Sequence, residues 1–307
     1  MINDLYKSRS AASCIAAATN FFTSHFKEIL RKLWAPVLTT AAALGTLHTA
    51  AISSISATLD LRMPPMSLLL VMAAADILLM AGVFWLRVAT ATMVNNLPMR
   101  RNAKREFIML LCSEFIMLLC MIAIIVIAIP FFAAPVLFMG QSAEDTAAPT
   151  MVANVLGYMA LVAVMAILLM MALIPCIVVY MKYMLTDTPL GTAIKSGYRE
   201  GVHHWGKLFL VVLLLFIIGC AVSMLFSLPL CVLTFAQVMA LEGEAYGDPT
   251  GLPSYMACMN FLVTFAVAAV SLMFLHTWTW FVAAYTYGAV SCEEQERKTL
   301  DNNQPEI

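Results

Sequence analysis

Charged side chains are scarce in this chain. Asp, Glu, Lys and Arg make up 11% of its 307 residues, where soluble domains carry about 25%. With 62% hydrophobic residues and a mean hydropathy of +0.89, a water-soluble globular domain is excluded. The formal net charge is only −1. There is thus no bulk basic character to attract nucleic acid, and no nucleic-acid partner is expected. Paired cysteines are missing too. The eight cysteines include no C-x-x-C pair, which removes the zinc and dithiol frameworks. The chain has no H-E-x-x-H, no G-x-S-x-G, no Walker loop and no Rossmann glycine pattern. No catalytic residue, cofactor or metal is assigned, and the chain is read as no enzyme.

What the sequence does hold is a series of long apolar runs. They predict an all-α fold: a polytopic membrane helix bundle of six transmembrane helices with two cytoplasmic-side interfacial amphipathic helices. The spans are read as about 34–55, 67–88, 107–129, 152–181, 208–228 and 256–284, since roughly 20 apolar residues cross a bilayer. Residues 1–33 are read as an N-terminal interfacial helix, 34–292 as the transmembrane domain and 293–307 as a polar cytoplasmic tail without fixed structure. Pro130 and Pro229 are expected to end the third and fifth spans, and Pro175 to kink the fourth. In the first span Ala41, Gly45, Thr49 and Ser53 recur every fourth residue, a small-residue face that admits another helix closely.

Asp187 to Pro229 organises the rest. Leu190, Ile194, Tyr198, Val202, Trp205 and Phe209 recur at helical spacing, and Lys195, Arg199, His203 and Lys207 form a second stripe. Rings at the headgroup boundary with cations toward anionic lipid suit an interfacial helix, here 188–207. Lys195, Arg199, Trp205 and Lys207 are the expected lipid contacts. The expected partners are the bilayer, anionic lipid headgroups on the cytoplasmic face and a membrane protein.

Of the 17 Lys and Arg, only Arg62 falls in an odd-numbered turn. The positive-inside rule then puts both termini in the cytoplasm of a bacterial inner membrane. HFKEIL at 25–30 resembles HWGKLF at 204–209, and basic segments precede three hairpins, which points to internal repetition.

A few polar residues need an account. Asp76 falls mid-span, where an aspartate costs about 2.5–3.5 kcal/mol on insertion scales. Either it is a hydrogen-bonded or protonated packing residue, or it belongs to an ion path. Arg87 and Glu114 are expected at similar depth in the antiparallel second and third spans and are read as a pair. His48 and His276 are read as interhelical hydrogen-bonders, and His203-His204 as interfacial polarity, since an adjacent pair lacks the ligand count of a metal site.

Residues 175–209 carry a resemblance. Ala193-Ile194, Ser196, Arg199 and Trp205 before a span resemble the membrane domain sometimes fused to glycerophosphodiester phosphodiesterases, among a broad set of bacterial six-span proteins. The match covers about a tenth of the chain well. It implies a membrane-embedded module and transfers no catalytic residue. The chain also resembles bacterial membrane proteins that carry a β-carotene monooxygenase label. Carotenoid cleavage oxygenases hold iron with four histidines on a β-propeller, whereas the five histidines here lie on a helical chain. These readings leave a non-enzymatic membrane scaffold or accessory module first, and a small transporter or channel using Asp76 and Glu114 as the alternative.

Overall fold

The computed structural model describes residues 2–59, 63–138, 147–247 and 255–303. Among them there is no strand. The elements are α1 (Ile2–Leu5), α2 (Ala11–Ser24), α3 (Phe26–Leu59), α4 (Met66–Asn95), α5 (Met99–Phe138), α6 (Ala147–Leu173), α7 (Cys176–Leu185), α8 (Leu190–His203), α9 (Trp205–Ala245), α10 (Met256–Ser271), a π-helical turn (Leu272–His276) and α11 (Thr277–Asn303). Among the described residues five helical stretches are long and apolar enough to cross a membrane: Phe26–Ser54, Met66–Asn95, Met159–Leu185, Trp205–Ala240 and Met256–Leu300. The third expected span, 107–129, lies in α5, whose side chains are described only as far as Ile125. The acidic turns around Asp60, Glu144 and Asp248 lie outside the described residues.

Proline does less to the long helices than its chemistry suggests. Both α5 and α9 run past the expected stops at Pro130 and Pro229. A lost backbone donor is tolerated in an apolar segment where the carbonyl it frees finds another partner. At Pro175 the expectation holds and is exceeded: α6 ends at Leu173, and Pro175 caps the start of α7.

Helix α3 is the hub of the bundle, packing most extensively on α4 and α10. A Cβ on Gly82 of α4 would lie 2.5 Å from Thr40 Oγ1, so the two backbones approach as close as glycine permits. Such contact matters more here than in water, because lipid offers apolar side chains the same solvation that a neighbouring helix does. On the expected small-residue face, Gly45 meets Phe261 of α10.

The two short helices are built alike. Both α2 and α8 have 14 residues, and each ends in a one-residue break at a histidine before a long helix begins. His25 has φ −108°, ψ 15°, and His204 has φ −104°, ψ 25°. Counted back from these histidines, the buried positions coincide: Cys14, Ala18, Phe21 and Phe22 in α2, Ala193, Gly197, Glu200 and Gly201 in α8. The likeness of HFKEIL to HWGKLF therefore marks a repeated helix–histidine–helix joint.

Neither joint lies free. Helix α2 packs on α11 and the π-helical turn before it through aromatic contacts: Phe21 meets Phe281 edge-on at 5.1 Å, and Phe22 lies 5.9 Å from Phe274 of that turn. Its outer positions, Ala16, Thr19, Asn20 and Thr23, are small or polar. The apolar face read as lipid-seeking is thus mostly consumed inside the protein. Helix α8 packs on α7, where a Cβ on Gly201 would lie 2.9 Å from Pro175 backbone atoms. Ser8 at Glu293, Lys298 at Glu200 and Arg101 at Thr186 gather the N-terminus, the C-terminal half of α11, α8, the α4–α5 turn and the α7–α8 turn at one end of the molecule.

Candidate functional site

Polar side chains gather at that end, first around Glu106. Its residue is fully buried at 0% exposure. Arg87 Nη1 donates to Glu106 Oε1 at 3.3 Å, and Tyr180 Oη donates to Glu106 Oε2 at 2.7 Å. Trp280 Nε1 donates in turn to Tyr180 Oη at 3.4 Å. One carboxylate thus ties together α4, α5, α7 and α11. The carboxylate is buried while Arg87 is partly exposed, and a buried carboxylate holds its charge only when further hydrogen bonds satisfy its remaining lone pairs, which Tyr180 does.

The pairing expected from sequence, Arg87 with Glu114, is corrected. The segment 95–106 is no loop. Asn96 adopts the left-handed conformation at φ 54°, Pro98 follows, and α5 begins at Met99. The hairpin therefore turns about Asn96-Leu97, and Glu106 lies as far beyond the turn as Arg87 lies before it. Glu114, two turns further along, is exposed on α5.

A second network closes the same turn. Asn95 Nδ2 donates to Asn102 Oδ1 at 2.9 Å and to the Met184 carbonyl at 3.1 Å, and Asn102 Nδ2 donates to Thr92 Oγ1 at 2.9 Å. Arg105 donates to the Tyr183 and Thr186 carbonyls and lies 4.8 Å over the Tyr183 ring, and Arg101 donates to Thr186 at 3.2 Å. These donors cover the open carbonyls at the end of α7, where cations are favoured. Asp187 completes the set by pairing with Arg101. Arg100 and Lys104 remain exposed.

A third cluster joins α8 to α11. Lys182 Nζ donates to both oxygens of Glu200 at 2.7 and 2.8 Å, and Lys298 stands 3.9 Å from Glu200 and 3.6 Å from Glu294. Arg297 pairs with Glu294 at 2.8 Å and reaches His203 Nε2 at 3.1 Å. His204 Nδ1 lies 3.4 Å from Glu293 Oε2, and Ser8 Oγ donates to Glu293 at 3.1 Å. Two expectations change. The segment read as an unstructured tail is helical through Asn303, because its acids and bases have partners on α8 and α9. Lys207, read as a lipid contact, pairs with Glu293. Trp205 is half-buried and donates Nε1 to the Met171 carbonyl at 3.2 Å. Lys195 and Arg199 are exposed on the outer side of α8.

The remaining candidates are dispersed. Asp76 is exposed on α4 beside Ile77, itself 72% exposed, so Asp76 and Glu114 share no enclosed space. His48 Nε2 lies 3.4 Å from Thr234 Oγ1 and bridges α3 to α9 as expected. His276, in the π-helical turn, has its Nε2 buried and unpartnered. Burial pushes the Cys14 thiol above its ordinary range, and with its sulfur 3.9 Å from the Tyr285 carbonyl it serves as a packed side chain rather than a nucleophile. A cleft of about 300 Å³ opens between α2, α3 and the end of α4, lined by Asp4, His25, Glu28, Lys32, Asn96 and Tyr285 among others. Among the described residues no group of three or more His, Cys, Asp or Glu is placed to hold a metal ion.

Several of these residues leave little trace in sequence. Glu106 stands beside Arg105 in a basic stretch and reads as loop charge. Glu200 follows Arg199 of the basic stripe, and only its place on the small-residue side of the helix, in line with Ala193 and Gly197, signals burial. Comparison of the chain with protein-family models, with curated proteins and with solved structures finds no match.

Proposed function

We propose that this chain is a six-span bacterial inner-membrane protein with both termini in the cytoplasm, and that it serves as a non-enzymatic scaffold or accessory module anchored to anionic lipid. The observation that carries this reading is the outward side of α8. Ile194, Tyr198 and Val202 are exposed there beside exposed Lys195 and Arg199, while the opposite side is clamped to α7. An apolar ridge flanked by cations on a rigidly held helix suits the headgroup boundary. Helix α5 supports a sixth crossing, since Phe107, Leu111, Phe115, Leu118 and Ile122 are apolar and exposed. The shared end of the termini and the even-numbered turns supports the even parity. The residues quoted from 175–209 favour a membrane-embedded module related to those that accompany phosphodiesterases, with no catalytic part of its own.

The buried ionic groups favour the same reading. They face one another across helix joints rather than a channel, as groups that fix a structure do. The alternative, a transporter or channel drawing on Asp76 and Glu114, has less behind it, because both carboxylates lie on outer faces of their helices.

Lipid retention in mild detergent, read by native mass spectrometry, tests the proposal. The full chain is expected to keep anionic phospholipid over zwitterionic phospholipid. Each neutralisation, Lys195→Gln or Arg199→Gln, is expected to weaken that preference roughly fivefold, the equivalent of about 1 kcal/mol per interfacial cation. Equal retention of both lipids by the unaltered chain overturns it. So does a reporter fusion that places the turn at Arg100 outside the cytoplasm.

A further inference from the structure

Beyond the Arg87–Glu106 pair the hairpin of α4 and α5 stands open. Arg87 reaches Glu106, so its side of α4 is the side toward α5. Counted back from Arg87 by helical turns, that side carries Met80, Asp76, Ala73 and Leu69, and all four are exposed. Counted on from Glu106, the facing side of α5 carries Ser113 and Met117, and both are exposed. Helices that stayed in contact would bury these positions. Met117 lies as far along α5 from Glu106 as Asp76 lies along α4 from Arg87. Glu114, exposed beside Ser113, is within one turn of that depth.

Lipid covers the leucine and the methionines of this open side without cost, but not Asp76. A carboxylate near mid-span is costly, and acids are kept there where something pairs with them. Neither Asp76 nor Glu114 has a hydrogen-bond or ion-pair partner among the described residues. The missing partner is a positive charge at mid-membrane depth, and a second copy of this chain has none to give. Helix α3 carries no lysine or arginine after Lys32, α9 none after Lys207, and α6 and α10 none at all. Arg87 is the cation of α4, and Glu106 already holds it. Lipid ammonium groups stay in the headgroup layer, so the charge has to arrive on another membrane-crossing helix. The shape of the open side suits one. Ala73 and Ser113 flank the acids, and small side chains let a helix backbone approach closely.

We infer that the open side of the α4–α5 hairpin is a docking site for a transmembrane helix of another protein, one that carries a lysine or arginine at mid-membrane depth to pair with Asp76. The inference rests on the reading of the chain as an accessory module and names the chemistry of the partner that module serves.

Photocrosslinking in lipid vesicles tests it, with the full chain and a synthetic leucine-rich transmembrane helix as the probe. One form of the helix carries a central lysine beside a photoreactive side chain, and the other has leucine in place of the lysine. The lysine helix is expected to crosslink to α4 and α5 around Asp76 and Ser113, with an affinity about tenfold above that of the leucine helix. Asp76→Asn is expected to remove that difference. Equal crosslinking of the two helices to the unaltered chain overturns the proposal, and that result needs no variant to fold. So does a lysine preference that survives Asp76→Asn. A photoreactive residue in place of Ile77 reads the face from the other side. Its crosslinks are expected to go to the lysine helix, whereas copy-to-copy crosslinks that the lysine helix does not displace give the face to a second copy and overturn the proposal. Lys195→Gln and Arg199→Gln are expected to leave the lysine helix bound, so a failure of docking at α4 is distinct from a failure of the lipid preference at α8.

Discussion

Tyr180 on α7 and Glu106 on α5 are 74 residues apart in sequence and joined by a 2.7 Å hydrogen bond, at the carboxylate that also holds Arg87. Removing that carboxylate leaves the Tyr180 phenol without its acceptor and the partly exposed Arg87 guanidinium without its partner. Glu106→Ala is therefore expected to cost about 1–3 kcal/mol, the range for leaving a buried hydrogen-bonding group unsatisfied. Glu106→Gln keeps an acceptor for Tyr180 and should cost less. Glu114→Gln should stay within about 0.5 kcal/mol of wild type, as an exposed change does. Reversible unfolding by detergent titration measures all three. A large effect at Glu114 with a small one at Glu106 would restore the sequence-based pairing.

That pairing failed for an identifiable reason. The apolar runs were legible because bilayer thickness imposes a length that sequence must meet. The small-residue approach of Gly45 was legible because close helix contact demands small side chains at fixed spacing. Depth across a hairpin was not, because it depends on where the turn lies. The left-handed conformation at Asn96 moves that point by several residues, enough to exchange Glu114 for Glu106. The C-terminal segment was misread for a related reason. Its composition is that of a solvated tail, and only the distant partners His203, His204 and Lys207 make it a helix with a place to dock.

Lys207 and Lys195 stood in one predicted stripe and should now behave oppositely. Lys207 pairs with Glu293, while Lys195 is exposed. Lys207→Gln is expected to lower the unfolding midpoint and leave the preference for anionic lipid intact. Lys195→Gln is expected to leave the midpoint unchanged and weaken the lipid preference. Thermal unfolding and lipid retention measured on the same two variants check the crossing pattern, and matching behaviour of the pair would place Lys207 back at the lipid surface.

The C-terminal helix should clamp α8. Ending the chain after Cys292 removes Glu293, Glu294, Arg297 and Lys298, which leaves His203, His204 and Lys207 without these partners. Amide hydrogen exchange over 190–203 is expected to accelerate, since local opening is governed by the contacts that hold a segment. Glu200→Ala should do the same by stranding Lys182. The double change Lys182→Met with Glu200→Leu should recover much of the protection, because an apolar pair of similar volume can replace a buried ion pair. Unchanged exchange in the truncated chain would make the segment a passive tail after all.

Asp76 poses the opposite problem, a carboxyl group with a cost and no visible return. It is exposed on α4 among Leu70, Ile77, Leu78 and Met80, all of them exposed apolar side chains. In a lone copy of the chain nothing is lost by replacing it. Asp76→Leu is expected to improve insertion of the α4 segment by about 2.5–3.5 kcal/mol, the cost of a central aspartate. It should also leave the unfolding midpoint of the detergent-solubilised chain unlowered. Glycosylation-site mapping of α4 insertion and thermal unfolding of the purified variant give the two numbers. A lowered midpoint would mean that Asp76 bonds within the bundle. An unchanged midpoint accompanied by loss of a co-purifying membrane protein would instead make Asp76 a contact to that partner, since an intramembrane acid is retained where something pairs with it.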